Sequence, residues 1–284
     1  WTLRGLSTTS TGAICPNRRR FNPGRAQPIF ANPASWLEMT ADQRGTAYYG
    51  MMTSTWDVIR RGQENWDDRF LYQELIRQYG EPVLDVGCAT GRLLLSYLKD
   101  GIDVDGVDNS PQMLAICRQK AQKAGLHPTL FQQSMQHLDI PRTYKTIMVA
   151  SSTLQLLTDP EDATAAMTQL SQHLDAGGAL VMPFMTLWSE GDPTEVDWEL
   201  TGEEVREEDG ATVRRWTHFW YDTETQCEHV EFRYEVTLDG KTLEEEMQRF
   251  SPETRSYTQQ QAIDLYEAAG LTDTKLLEGS TMEP

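Results

Sequence analysis

The chain has 284 residues and a formal net charge of −18 at pH 7. A length of this order suits one α/β domain with an insertion, and so acidic a chain repels the phosphate backbone of nucleic acids. No stretch reaches the roughly 18 apolar residues of a membrane span, and the four cysteines show neither metal-ligand nor disulfide spacing. We therefore expect a cytoplasmic protein that binds no metal, no membrane and no nucleic acid.

Residues 1–35 differ in composition from the rest of the chain. They contain five arginines and no acidic residue, and they are rich in serine, threonine, proline and glycine. A segment of this kind buries too little apolar surface to offset the entropy of folding. The composition predicts a flexible basic leader.

Residues 36–80 carry a helical pattern. Aromatic and methionine side chains recur at helical spacing between Ala41 and Arg61. A second helix is predicted to begin near Asn65 or Asp67 and to end before Gly80, because asparagine and aspartate favour the first position and glycine the last.

The most informative stretch runs from Pro82 to Ser110. An apolar run predicts a buried strand that ends in a glycine turn at Gly87 and Gly91, and a helix with one apolar face follows. A second strand ends on Asp108, about 20 residues after the first glycine. This order predicts a strand-turn-helix-strand unit.

The residue types in this unit favour a ligand that contains a nucleoside. Gly87 allows the chain to reverse, while Ala89 and Gly91 are small enough for a ligand to approach the backbone. Free N–H groups at the start of the helix attract a polar or negatively charged group. Asp108 offers two oxygens to the two hydroxyls of a ribose. The alternative is an ordinary βαβ turn without a ligand.

Two nucleoside cofactors fit such a turn. A dinucleotide fingerprint requires glycine where this chain has Ala89 and Arg92. The run Asp85-Val86-Gly87-Cys88-Ala89-Thr90-Gly91 instead resembles motif I of the class I S-adenosylmethionine-dependent methyltransferases, although the family usually has glycine at the position of Ala89. The resemblance covers residues 66–185 and, more loosely, 255–278.

The resemblance implies an α/β fold: a Rossmann-like class I methyltransferase sandwich with an N-terminal helical lid over residues 36–80 and a core over 81–187. It implies S-adenosyl-L-methionine as the cofactor. The cofactor-binding residues that it implies are Tyr49, Trp66, Asp85, Gly87, Cys88, Ala89, Gly91, Asp108, Asn109, Met113, Ser134, Met135 and Ser151. Ser134 stands where the family usually has an acidic residue.

The rest of the core follows a βα rhythm. A helix over Pro111 to Ala124 is followed by strands over 128–132, 144–150 and 179–185, and a helix over Pro160 to Leu174 is predicted to end at a glycine cap. The loop after the fourth strand faces the site in this architecture. Gln155 in that loop is a candidate to hydrogen-bond the acceptor or the cofactor, or alternatively to face solvent at a helix start.

Residues 188–250 depart from this rhythm and predict an inserted antiparallel β-meander. Three strands alternate over 211–221, 227–238 and 242–250, and Asp239-Gly240 is a strong hairpin signal. The sheet is predicted either to cover the acceptor, with Trp216, His218 and Trp220 lining the pocket, or to form a homodimer interface. Residues 251–284 then return to the core, with a capping box and helix at Thr258 and a strand over 272–277.

The resemblance and these residues predict an enzyme that transfers a methyl group to N or O of a small-molecule acceptor by in-line displacement. His218 is the predicted general base, because its ordinary pKa lies near neutrality, and Gln155 is the second candidate in catalysis. The alternatives are a protein or peptide methyltransferase, a non-catalytic S-adenosylmethionine-binding protein, and an NAD oxidoreductase.

Overall fold

The computed structural model describes residues 48–61 and 68–276. The predicted leader over 1–35 and Trp66 lie outside the described residues. The helices in the described part are α1 Gly50–Ser54, α2 Trp56–Ile59, α3 Asp68–Tyr79, α4 Arg92–Lys99, α5 Pro111–Ala124, α6 Pro160–Gln172 and α7 Gln259–Ala268. The strands are β1 Val83–Val86, β2 Val104–Asp108, β3 Thr129–Gln132, β4 Tyr144–Val149, β5 Leu174–Val181, β6 Glu195–Val205, β7 Thr212–Asp222, β8 Cys227–Leu238 and β9 Lys241–Arg255.

The first five strands form a parallel sheet in the order β3-β2-β1-β4-β5. Strand β1 pairs with β2 on one side and with β4 on the other, so the strand order reverses at β1. The side chains of β1 are buried throughout, as expected for a parallel strand covered on both faces. The predicted Rossmann-like core is confirmed, and its ligand crevice is expected where the order reverses.

Helices cover both faces of this sheet. On one face, α3, α4 and α5 contribute Leu75, Leu94 and Leu114 to a buried apolar cluster. On the other face, α6 and α7 contribute Met167 and Tyr266 to a second cluster. No helix in the described part of the chain is long and apolar enough to cross a membrane.

The remaining strands form a separate antiparallel sheet in the order β6-β7-β8-β9. The predicted hairpin is confirmed: Asp239 and Gly240 have φ values of +50° and +74°, and a type I′ turn needs positive φ at both positions. Strand β6 was not predicted, because Glu195–Val205 is rich in acidic residues and lacks a clear apolar alternation.

The inner face of this second sheet packs against α1 and α2. Met51 and Met52 join Val213, Phe232 and other inner-face residues in a third apolar cluster. The approach is close, because a Cβ atom added at Gly202 of β6 would lie 2.9 Å from Cγ2 of Ile59 in α2. The short helices and the inserted sheet therefore form one wall, which faces the parallel sheet.

Three sequence predictions need correction. Helix α6 ends at Gln172 with His173 as its C-cap, not at a glycine. Strand β5 begins at Leu174 and not at residue 179. Gly177 and Gly178 therefore lie inside the strand, where its pairing with β4 is irregular. Residues 272–276, the described part of the predicted last strand, form no strand. The predicted capping box at Thr258 and Gln261 is confirmed.

Gln155 joins the two sheets. Its side chain is completely buried in the loop after β4. The Nε2 amide donates to the backbone carbonyls of Met185 and Arg255, both at 3.0 Å, and Oε1 accepts from the amide of Met185 at 2.7 Å. These bonds connect the chain beyond β5 with the end of β9, so the side chain holds the sheets together.

We predict that Gln155→Ala lowers the free energy of unfolding by about 3 kcal/mol or more, because it leaves three buried backbone groups without partners. Urea unfolding followed by circular dichroism measures this change. The control, Gln172→Ala, changes an exposed glutamine in the last turn of α6 and is expected to stay within about 0.5 kcal/mol of the parent. Unchanged stability in Gln155→Ala would contradict the structural role.

Candidate functional site

A large cavity lies at the carboxyl ends of the parallel strands. Its volume is about 1710 Å³. One wall consists of the loops after β1, β2, β3 and β4, and the other wall is built from α2, β6, β7 and β9. Pockets for single small ligands typically occupy about 300–1,000 Å³. The cavity therefore has room for two small molecules side by side.

The glycine turn after β1 forms the centre of the first wall. Gly87, Ala89 and Gly91 all have positive φ values, of +73°, +47° and +85°. A Cβ atom added at Gly87 would lie 2.4 Å from Cγ2 of Thr153, so only glycine fits there without a shift. Ala89 adopts the left-handed conformation despite its side chain. It stands at the position where motif I, which this run resembles, usually has glycine.

Asp108 lies beside this turn at the end of β2. Its Oδ2 accepts a hydrogen bond from the amide of Ala89 at 2.9 Å, and its Oδ1 accepts from the amide of Ser110 at 2.8 Å. Burial raises the pKa of Asp108 above its usual range, although both hydrogen bonds act in the opposite direction. Each oxygen has a second lone pair, so the carboxylate can also accept from two ligand hydroxyls.

Asp85 is buried beneath the same turn. Burial raises its pKa to about 7, and Asp108 adds to the increase, while Arg92 lowers it. Arg92 itself is held by a two-point ion pair with Asp68 of α3, at 2.8 and 2.6 Å. The turn therefore contains two buried carboxyl groups beside a fixed guanidinium.

Most of the predicted cofactor-binding residues are brought together here. The cavity is lined by Asp85, Gly87, Cys88, Ala89, Gly91, Asp108, Asn109, Ser134, Met135 and Ser151. The Cys88 thiol is buried, and burial raises its pKa well above the usual range. These positions fit a nucleoside-bearing ligand, because the Asp108 oxygens remain available and the tight turn at Gly87 allows close approach to the backbone.

Two other predicted cofactor-binding residues lie elsewhere. The ring of Tyr49 packs against Phe250 with centroids 6.0 Å apart, and its neighbour Tyr48 lines the cavity instead. Met113 is fully buried within α5, and its amide donates to the Ser110 hydroxyl. The family resemblance implied both residues as cofactor contacts, but neither side chain lines the cavity.

His218 does not reach the cavity. It lies on the outer face of β7, in a shallow pocket with Trp220 and Glu231. Its ring nitrogens lie 3.2 Å from Glu231 and 3.2 Å from Glu195. Burial lowers the His218 pKa, but the hydrogen bonds to the two carboxylates outweigh it and raise the pKa overall. This placement argues against its predicted role as a base for chemistry at the glycine turn.

The opposite face of β7 lines the cavity. Arg215 of β7, Glu253 of β9 and Arg60 beside α2 belong to the second wall. Trp216 and Trp220 share the outer face with His218, and neither lines this cavity. The prediction that Trp216, His218 and Trp220 line the pocket selected the wrong face of β7; the charged side chain of Arg215 marks the face that lines the cavity.

Glu253 is a carboxyl group of the second wall that has no partner among the described residues. It makes no hydrogen bond or ion pair within residues 48–61 and 68–276. Burial raises its pKa to about 8, and Glu228 adds to the increase, while Arg215 and Arg60 lower it. Glu253 was missed in the sequence because it follows the predicted end of the last meander strand.

Comparison with known proteins supports this geometry. A family model described as a methyltransferase domain matches residues 83–178, which include the glycine turn and Asp108. A putative methyltransferase of Geobacillus sp. (strain WCH70) is 31% identical over 113 residues, which cover 38% of this chain and 46% of the relative. The dTDP-3-amino-3,4,6-trideoxy-α-D-glucopyranose N,N-dimethyltransferase of Streptomyces venezuelae is 29% identical over 162 residues, covering 56% of this chain and 62% of the relative. The chain thus spans less than two thirds of the length of either relative.

The fold is shared with solved structures. The sugar N-methyltransferase KedS8 from Streptoalloteichus sp. aligns with a TM-score of 0.63 and 18% identity, covering 88% of this chain and 91% of that one. At this identity the likeness concerns the fold. The match of the methyltransferase-domain model to residues 83–178, together with the residues at the turn, confirms the predicted resemblance to class I S-adenosylmethionine-dependent methyltransferases.

Proposed function

We propose that this chain is an S-adenosylmethionine-dependent methyltransferase that acts on a small molecule. The observation that carries the proposal is that one cavity joins the glycine turn and Asp108 to a second wall with charged side chains. We further propose that residues 81–187 form the cofactor-binding core and that the sheet within 188–250 covers the acceptor. The alternatives are a protein or peptide methyltransferase and a non-catalytic cofactor-binding protein.

The residues at the turn fit the cofactor. Asp108 would accept hydrogen bonds from the ribose hydroxyls, Ser134 and Met135 would contact the adenine, and the turn from Gly87 to Gly91 would adjoin the amino-acid end. The bound cofactor supplies a methyl group on a sulfonium, which is already reactive toward a nucleophile. The protein's part is to align donor and acceptor and to exclude water, which contributes up to roughly 7–11 kcal/mol.

Glu253 takes the place of His218 as the proposed proton acceptor. It lies in the cavity wall opposite the turn, and its carboxyl group has no partner in the described residues. Its pKa of about 8 lies roughly 2 units below that of an alkylammonium. An aliphatic hydroxyl resembles water, which has a pKa of about 15.7, so a carboxylate of this basicity does not deprotonate it. We therefore propose an amine nitrogen, rather than an aliphatic hydroxyl, as the attacked atom.

A relative's name agrees with nitrogen as the attacked atom. The dTDP-3-amino-3,4,6-trideoxy-α-D-glucopyranose N,N-dimethyltransferase bears the name of a substrate with an amino group. The overall charge of −18 favours a cationic acceptor over a nucleic acid.

We also propose a reducing, cytoplasmic setting, which is consistent with free thiols at Cys88, Cys117 and Cys227. A homodimer through the outer face of the second sheet is a further proposal, and sedimentation analysis would test it.

The direct test of the function is release of S-adenosylhomocysteine from S-adenosylmethionine in the presence of acceptors. We would compare a panel of primary amines with the matching alcohols at equal concentration. The proposal expects turnover with members of the amine set only. Turnover restricted to the alcohols would overturn the choice of nitrogen, and binding of the cofactor without any turnover would favour the non-catalytic alternative.

We predict that Glu253→Gln lowers kcat/KM about 10²- to 10⁴-fold, because the amide cannot accept the acceptor's proton. The parent's kcat/KM should rise with pH through about 8, as the Glu253 carboxyl ionises, and this rise should be missing in the variant. Glu204→Gln is the control, since Glu204 pairs with Arg61 at 4.0 Å near the cavity mouth. A parent-like pH profile in Glu253→Gln would contradict the assignment.

A further inference from the structure

Arg60 is a cation that lacks a counter-ion within the described residues. Its guanidinium stacks on the ring of Trp56, with Cζ 3.4 Å from the ring centroid, and it lines the cavity. The side chain makes no hydrogen bond or ion pair within residues 48–61 and 68–276. A guanidinium has five N–H donors, and none of them has an acceptor among the described residues.

Burial of an unpaired guanidinium is unfavourable, and hydrogen-bond acceptors on a bound ligand would offset this cost. Burial lowers the pKa of Arg60 to about 10, and the nearby charge of Arg215 lowers it further. The neighbouring Arg61 shows the opposite pattern: its Nη2 donates to the carbonyl of Val205 at 3.0 Å, and its Nη1 lies 3.6 Å from Glu207. Both arginines line the cavity, but Arg61 has hydrogen-bonding and charged partners in the protein, whereas Arg60 has none among the described residues.

Arg215 adds a second positive charge on the same wall. Its Nε donates to the hydroxyl of Thr201 at 3.1 Å, but it forms no ion pair with a described carboxylate. Glu253 lies close enough to affect both arginines, yet it pairs with neither. Because the Glu253 pKa is about 8, its carboxyl group is mainly protonated at pH 7 and does not balance the two guanidinium charges.

We propose that Arg60 and Arg215 form an anion-binding subsite in the cavity, which receives a carboxylate or phosphate group of a bound ligand. Guanidinium groups match both anions through paired hydrogen bonds. The inference rests on the proposed function, which supplies two sources: an acidic group on the acceptor, or the carboxylate at the amino-acid end of the donor. In the first case the acceptor carries both an amine and an anionic group.

Calorimetric titration of the full chain separates the two sources. The probes are inorganic pyrophosphate, S-adenosylmethionine and 5′-methylthioadenosine, which keeps the adenosine and sulfur but lacks the amino-acid end. The variants are Arg60→Gln and Arg60→Lys, with Arg61→Gln as the matched control. Thermal melting of each variant verifies folding, and Arg60→Lys keeps the charge while losing the paired hydrogen bonds.

If the anion belongs to the acceptor, Arg60→Gln is expected to weaken pyrophosphate binding at least tenfold and Arg60→Lys to weaken it less. Arg61→Gln is expected to leave pyrophosphate binding unchanged, and all variants are expected to bind S-adenosylmethionine as the parent does. A donor carboxylate predicts that Arg60→Gln weakens S-adenosylmethionine at least tenfold but leaves 5′-methylthioadenosine unchanged. If Arg60→Gln changes neither pyrophosphate nor S-adenosylmethionine binding, the subsite is overturned. If the parent fails to bind S-adenosylmethionine, the proposed function fails, and the pyrophosphate titrations still decide the subsite.

Discussion

The hydrogen bond from the amide of Ala89 to the carboxylate of Asp108 connects the glycine turn to the neighbouring strand at the point where the parallel sheet reverses its order. In the same turn Ala89 has a left-handed backbone, and Gly87 passes so close to Thr153 that a side chain there would clash. Because this bond holds the carboxylate at the cavity surface, the proposed recognition of a ribose by Asp108 depends on it.

The second wall adds charges that the parallel sheet alone would not provide. Its inner face buries an apolar cluster against α1 and α2, and next to that cluster it presents Arg215 and Glu253 to the cavity. Because Glu253 is partly buried, its charge interacts with its neighbours more strongly than a charge at an exposed surface would. The outer face instead holds His218 between two carboxylates and stacks the rings of Trp220 and His229. The inner face of the sheet thus contributes charged groups to the cavity, and the outer face, with His218 and Trp220, does not.

The parts of this structure that depend on local sequence were predictable. Gly87, Gly91 and Asp108 lie within one strand-turn-helix-strand unit, and the hairpin at Asp239 and Gly240 depends on two adjacent residues. Other features depend on how distant elements dock. Strand alternation separates Arg215 from His218, but only the packing of the sheet against α1 and α2 decides which faces the cavity. Gln155 is structural because its partners come from positions 185 and 255, which no local pattern reveals.

The central claim is that the glycine turn and Asp108 bind an adenosyl cofactor, and calorimetric titration tests it most directly. We would titrate S-adenosylmethionine, S-adenosylhomocysteine and NAD into the parent and into Asp108→Ala. The account predicts that the parent binds both adenosyl compounds in preference to NAD, and that the variant loses this binding. Absence of adenosyl binding, a preference for NAD, or full binding by Asp108→Ala would contradict it.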